Sequence, residues 1–459
     1  MAGIGFELRK LARRDDLIGI VASLTHASVV STGPWIMTVL ALGAIDIIGI
    51  NWLDQEEMKV FRIIVIYNFG FSLVAAGPLM MIATRYLADR IYEKKVTETP
   101  GMLIGGFIVL LAQLPIVGWF YGYYAALDPA VRVAAIANYF VISFIWYVGI
   151  FLSALRDFRS ITLGFAVGMS SAFALTVLLG GRWGATGMLT GFSIGLTLLL
   201  SLEVARVLVE FPYGFVRPFA FLSAARKYWE LTLGALFYNL AVWIDKWIMW
   251  TLPDRDEIAA VMISYPLYDS TMFLAYMTVI PAIAVFMLSV ETDFFERYQN
   301  FYKDVSGHAP WRKLREDHQE ILQSLSRGLR NVVVFQGCIT AFVVLSAPKL
   351  LSLIGVNLIG LGMFRLGVIG SFFHVLMAFV AVVLAYFDLR RKLLFVYFLL
   401  FVTNTVFSLI STRMGFAYYG YGFFLSALVT LVVAYVLAAW SVGRLPYLTF
   451  IANNPSVKG

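Results

Sequence analysis

The run Asn239-Leu-Ala-Val-Trp243-Ile-Asp245-Lys246-Trp247 sets an amide, two indoles, a carboxylate and an ammonium into an otherwise apolar stretch. On a helix, Asn239, Trp243 and Lys246 share one face at i, i+4 and i+7. Such a face offers a cavity an amide for hydroxyl groups, an aromatic platform for the apolar side of a sugar ring, and a cation. Ionisable groups inside an apolar helix are expensive and mark functional sites by default. The plainer reading is an ion pair, or a lysine reaching for the interface, that fixes helix packing. Arg365, near the outer end of another apolar stretch, offers Asp245 a partner. His26 and Asn68 could join the same path, and Asp46 and Asp245 are the acids suited to ion coupling. His26 and His374 could titrate near neutral pH, or simply hydrogen-bond between helices.

The chain that must position these groups is 60% hydrophobic and 14% charged over 459 residues. Its mean hydropathy is +0.82. Soluble domains carry about 25% charged residues, so an ordinary water-soluble enzyme is excluded. A bilayer core needs about 20 apolar helical residues per crossing. Twelve stretches qualify: 22–50, 63–84, 101–124, 133–155, 160–181, 184–205, 231–250, 262–290, 331–347, 360–386, 393–411 and 418–440. The apolar runs are continuous rather than alternating, which argues for helices over a barrel. The fold class is therefore all-α, a polytopic membrane protein of about twelve transmembrane helices. The segment 262–290 holds Pro266 and Pro281 and is either one tilted helix or a short piece followed by a full one.

Of the 35 Lys and Arg, 26 fall in segments on one side of this arrangement and seven on the other; Lys246 and Arg365 lie within it. The basic side is expected to be cytoplasmic and to hold both termini. The first apolar run continues as a crossing rather than ending as a cleavable signal. Residues 1–16 read as a basic amphipathic helix at the interface.

The halves look duplicated. Ala154-Leu-Arg-Asp157-Phe-Arg159 follows the fourth crossing and Ala385-Tyr-Phe-Asp388-Leu-Arg390 the tenth. Pro78 and Pro281 fall at equivalent places, and with Gly33-Pro34 they read as bends or as tolerated kinks. Two parallel six-helix bundles are implied, with the substrate path between them. The expected division is an N-terminal segment 1–21, a bundle 22–205, a connector 206–230, a bundle 231–440 and a tail 441–459. The second bundle carries the loop 291–330, read as two amphipathic helices broken at Gly307 and Pro310. That loop is either a solvated connector or a docking surface. Most tryptophans sit near expected helix ends, as an interfacial belt would.

Signals for catalysis are poor. There is no Walker A sequence and no His-Glu-x-x-His, and Cys338 is the only cysteine. Asp254-Arg-Asp256 has metal-binding spacing but lies on the outer side. Arg13-x-x-Asp16 is too short a pattern to read as a nucleotide site. No enzyme activity, no cofactor, no metal and no nucleic acid are expected.

Twelve crossings, a bent first helix and a basic N-terminal helix resemble the multidrug/oligosaccharidyl-lipid/polysaccharide flippase superfamily. Residues 1–11 (MAGIGFELRKL), Ser31-Thr-Gly-Pro-Trp35, Asn239 to Trp247 and Val290-Glu-Thr-Asp-Phe294 resemble, more narrowly, the PelG family of inner-membrane exopolysaccharide exporters. The resemblance runs the length of the chain. It implies export of an N-acetylgalactosamine-rich Pel polysaccharide for the biofilm matrix. It further implies three partners: a PelF-like cytosolic glycosyltransferase, a PelD-like cyclic-di-GMP receptor and a PelE-like membrane protein. The loop 291–330 then becomes a candidate contact for them. Flippases of pyrophosphate-linked lipids line their cavity with several arginines; here Lys246 and Arg365 are the intramembrane cations, which suits an uncharged glycan. The expected activity is passage of glycan through a cleft lined by Asn239, Trp243, Asp245, Lys246, Arg365, His26 and Asn68. An ion-coupled small-molecule antiporter and a non-conducting scaffold of the synthase are the competing readings.

Overall fold

A computed structural model describes residues 17–155, 157–355 and 357–452. The expected amphipathic helix at 1–16 lies outside them, and so does the side chain of His26. The chain is an all-α membrane protein. Its first half holds α1 (Leu17–Trp52), α2 (Gln55–Tyr92), α3 (Thr99–Leu111), α4 (Leu114–Trp119), α5 (Pro129–Leu155), α6 (Phe158–Glu210) and α7 (Trp229–Met249). A hairpin of β1 (Asp256–Ile258) and β2 (Met262–Ser264) follows, pairing Glu257 with Ile263. Then come α8 (Pro266–Met277), α9 (Ile280–Ser289), α10 (Phe295–Ser306), α11 (Trp311–Ile354), α12 (Leu361–Tyr386), α13 (Arg390–Met414) and α14 (Tyr421–Gly443).

Among the described residues, nine helical spans are apolar and long enough to cross a bilayer. The count reaches twelve for physical reasons. α6 bends at Trp183 and Gly184, whose backbone is non-helical, so its 53 residues make two crossings. α1 is a continuous apolar helix of 36 residues with Pro34 inside it, long enough for a crossing of its own, and α7 carries Glu230, Asp245 and Lys246 in its 21 residues. The bend in α6 frees the Ala185 N–H, which donates to Glu57 Oε2 at 2.7 Å. Beyond the bend, Gly187, Gly191 and Gly195 lie so close to Leu179, Leu175 and Ala172 that any Cβ would strike their backbone. The fifth and sixth crossings thus pack backbone to backbone, as small residues four apart allow in lipid.

The chain divides into two compact units. One is Gly33–Pro266; the other is Leu267–Gly459 with the residues ahead of Gly33. The division falls one helix later than the connector 206–230, and α7 packs within the first unit. The connector itself is held there: Arg217 pairs with Glu98 at 3.3 Å, and Lys227 with Asp89 at 2.8 Å. The hydrogen bond to Asp89 raises the Lys227 ammonium above its ordinary pKa.

The two copies of the duplicated motif occupy matching turns. Asp157 caps α6 by accepting from Ser160 N–H at 3.1 Å, just after α5. Asp388 grips Arg390 through two bonds of 2.7 and 2.6 Å, just after α12. Pro78 lies inside α2, whereas Pro281 opens α9 and the helix breaks ahead of it. The Thr278 carbonyl at that break accepts from Gln336 Nε2 at 3.0 Å. Lipid offers no donor, so a side chain from a neighbouring helix must. The charged loop forms two helices parted at 307–310, as its glycine and proline require. The second of these, α11, continues without interruption into the next crossing for 44 residues.

Candidate functional site

α7 is neither a lipid-facing helix nor a core helix. Most of its residues from Ala235 to Trp247 are half-buried, with Ala241 and Asp245 fully inside. Two glycines of α2 set how closely it approaches. A Cβ at Gly70 would lie 3.0 Å from the Trp243 ring, and one at Gly77 would lie 2.2 Å from Asn239 Nδ2. Seven residues apart, they open one stripe of α2 to the Asn239–Trp243 face. Asn239 Nδ2 donates to the Leu73 carbonyl at 3.3 Å.

The other tryptophans of this region are spent on packing. Trp247 stacks on Phe71 at 5.0 Å and 12° between planes; Trp250 stacks on Tyr67 at 5.1 Å and 4°. Tyr67 also ties in the hairpin, since its hydroxyl donates to Ile263 O at 2.9 Å and accepts from Ile263 N–H at 2.8 Å. Trp243 has no ring partner among the described residues. Its edge meets Gly70 while the side chain stays half-buried.

The charges resolve locally. Lys246 Nζ lies 3.2 Å from Asp245 Oδ1 and donates to the Val242 carbonyl at 3.0 Å. The Asp245 side chain is fully buried and that of Lys246 is 21% exposed, so the pair presents its cationic end. Within the first unit, Asp245 has its neighbour Lys246 as an ionic partner. Arg365, in the second unit, turns its Nε to the Val344 carbonyl at 3.2 Å.

Asn68 is not open to a path. It is buried, donating to Ala135 O at 3.0 Å and Asn138 Oδ1 at 2.9 Å and accepting from Tyr121 at 2.7 Å. Asn138 passes the chain on to Ser193 at 3.0 Å. This is a scaffold joining α2, α5 and α6. Asp46 pairs with Arg62 at 2.6 Å, both side chains about two-fifths exposed, a surface pair of small energetic weight. His374, buried in the second unit, lies 2.8 Å from the Tyr276 hydroxyl through Nδ1. Asp269 falls in the first turn of α8, where a helix N-terminus favours a carboxylate.

The remaining tryptophans differ in their surroundings. Trp52, Trp119 and Trp183 are exposed at helix ends, but Trp146 bonds Ser72 at 3.2 Å inside the first unit. Tyr67, Phe71 and Glu203 were not among the expected site residues. Glu203 is buried in α6, with Oε2 lacking a hydrogen-bond partner among the described residues. The Gly70/Gly77 spacing is the sequence signal that would have located Tyr67 and Phe71 beside α7.

Comparison with known proteins places this geometry. The family model PelG, described as "Putative exopolysaccharide Exporter (EPS-E)", matches residues 1–450. No curated protein matches the chain. Among solved structures, an outward-facing multidrug resistance MATE transporter of the MOP superfamily is similar at TM-score 0.64 and 15% identity, covering 97% of this chain and 99% of that one. A MOP superfamily transporter from Pyrococcus furiosus, titled as having a binding pocket of reversed polarity, is similar at 0.63 and 14%, with coverage of 97% and 99%. An inward-facing MATE transporter is similar at 0.61 and 14%, covering 89% and 95%. At such identities the likeness is one of fold: about twelve crossings in two six-helix bundles.

Proposed function

The chain belongs to the PelG family of exopolysaccharide exporters, and from that premise we propose that it carries a Pel-type, N-acetylgalactosamine-rich polysaccharide across the bacterial inner membrane into the biofilm matrix. It is a multi-pass membrane transporter of a polysaccharide-like substrate. The half-buried face of α7 lines the path in this reading, with Trp243 as the platform for sugar rings. The observation that carries it is the contrast among tryptophans: Trp247 and Trp250 are stacked away on α2, and Trp243 is not. An aromatic face packs against the C–H side of a pyranose with modest energy, which lets a polymer advance without being trapped. The Asn239 amide and the cationic end of the Asp245–Lys246 pair supply hydrogen bonds to hydroxyl and acetamido groups. Asp46 and Asp245 are the acids proposed for ion coupling, each through the basic partner it already holds.

The basic face is assigned to the cytoplasm with both termini, where a PelF-like glycosyltransferase, a PelD-like cyclic-di-GMP receptor and a PelE-like protein would meet the α10–α11 hairpin. The test is genetic and direct. Cells lacking the chain, with its partners intact, are complemented with wild type or with Trp243→Ala plus Lys246→Ala. Secreted N-acetylgalactosamine polymer should return with wild type and fall severalfold with the double variant at equal protein level. Unchanged secretion in the double variant removes α7 from the path.

A further inference from the structure

On the basic side of the second unit, three helix ends lie level. His318, in the second turn of α11, puts Nε2 2.8 Å from the Val442 carbonyl in the last turn of α14. Lys392, in the first turn of α13, donates to Ser441 Oγ at 2.6 Å. Lys392 and Arg444 both lie on the Trp440 ring, 4.4 and 4.7 Å from its centroid. An exposed indole dressed with cations at the ends of apolar helices is the chemistry of the headgroup region.

Beside it opens a cavity of about 350 Å³ lined by Trp311, Arg315, His318, Arg444 and Tyr447. An adjoining groove of about 560 Å³ shares Trp311 and Tyr447 and continues over Leu314, Phe450 and Ile451. The first cavity holds two guanidinium groups and no carboxylate. The acids that flank Arg315 are engaged elsewhere: Glu316 with Arg312 at 3.2 Å, and Asp317 with Lys313 at 2.7 Å. Arg315 and Arg444 have no ion pair among the described residues.

We propose that this is a binding site for an anionic phospholipid of the leaflet on the basic side. The phosphate lies between Arg315 and Arg444, and an acyl chain runs along the groove of Leu314, Phe450 and Ile451. A guanidinium fork matches phosphate oxygens better than any other side chain. Basic pockets between helices at this level of a membrane take lipid headgroups. The joined apolar groove separates a lipid from a free phosphate, which would use the arginines and leave the groove bare. Occupancy would tie the start of α11 to the end of α14, so the lipid composition of the membrane would act on the helix that continues into the crossing.

The experiment uses the full chain purified in neutral detergent, with binding of phosphatidylglycerol, phosphatidylcholine and glycerol 3-phosphate followed by native mass spectrometry. Phosphatidylglycerol should bind more tightly than either of the others. Arg315→Gln with Arg444→Gln should weaken it about tenfold or more. Both residues are exposed, so the variant keeps its fold, checked by elution and melting. Arg312→Gln, on the same helix with its side chain 91% exposed, should leave affinity unchanged. Phe450→Ser should weaken phosphatidylglycerol and spare glycerol 3-phosphate. Equal loss in Arg312→Gln, no loss in the double variant, or glycerol 3-phosphate binding as tightly as the lipid would each overturn the proposal.

Discussion

Asn68 in the first unit spends both amide hydrogens and its oxygen on Ala135, Asn138 and Tyr121. Gln336 in the second unit spends one hydrogen on the Thr278 carbonyl, and its Oε1 is buried without a partner among the described residues. Thr340 on the same helix and Ser371 on α12 carry buried hydroxyls in the same condition, as does Thr271 on α8. The first network is closed; the second region, beside the α8–α9 break, is open. Lipid supplies no hydrogen bonds, so a closed network resists any motion that opens it, whereas helices whose polar atoms are already unfilled lose little on rearranging. The difference sets a fully satisfied scaffold around Asn68 against an unsatisfied seam between α8, α11 and α12. In the first unit, the unfilled atoms of Arg90, Glu203 and Trp247 are isolated rather than a seam.

The largest expected effect breaks the closed network. Asn68→Leu orphans Tyr121 and Asn138 together and should cost about 2–3 kcal/mol, read as a lower melting midpoint in detergent. Gln336→Leu should cost under about 1 kcal/mol, since one bond is lost and one unfilled atom goes with it. Equal losses would erase the contrast. Next, Gly70→Leu forces the Trp243 ring from α2 and should cost about 1–3 kcal/mol by overpacking, with export falling alongside. Trp243→Ala with Lys246→Ala should cost about 1–3 kcal/mol, because it strands the buried Asp245 carboxylate and unpacks Gly70, while lowering export at equal protein level roughly three- to tenfold, the worth of one aromatic contact. Smallest is Ser371→Ala, which removes an unfilled hydroxyl and should leave melting unchanged or raise it by up to about 1 kcal/mol. A clear loss there would mean that a water or ion occupies the seam.

Much of this was legible in the chain. Twelve apolar stretches, the division of 160–205 into two crossings between 181 and 184, the helix pair parted at Gly307 and Pro310, and the matching turns at Asp157 and Asp388 all follow from local composition. What escaped depends on how helices are rotated about their own axes. The contact of Lys246 with Asp245 and the stacking of Trp247 on Phe71 are rotations that an apolar helix does not encode in its periodicity. Nothing in Asn68 distinguishes a cavity amide from a scaffold amide until Asn138 and Tyr121 stand beside it. The continuity of α11 was hidden because an amphipathic stretch and an apolar one, scored separately, meet without a proline until Pro348. The hairpin at Asp256–Ser264 was hidden because strands of three residues leave almost no pattern.

The central claim is that a glycan passes through this chain along α7. Inverted membrane vesicles containing the chain and its glycosyltransferase are supplied with labelled UDP-N-acetylgalactosamine, and polymer protected from added glycosidase is counted. The account predicts protection that requires the chain and falls with Trp243→Ala plus Lys246→Ala. Polymer made in full but left open to the glycosidase, in vesicles of verified orientation and assembly, would contradict it.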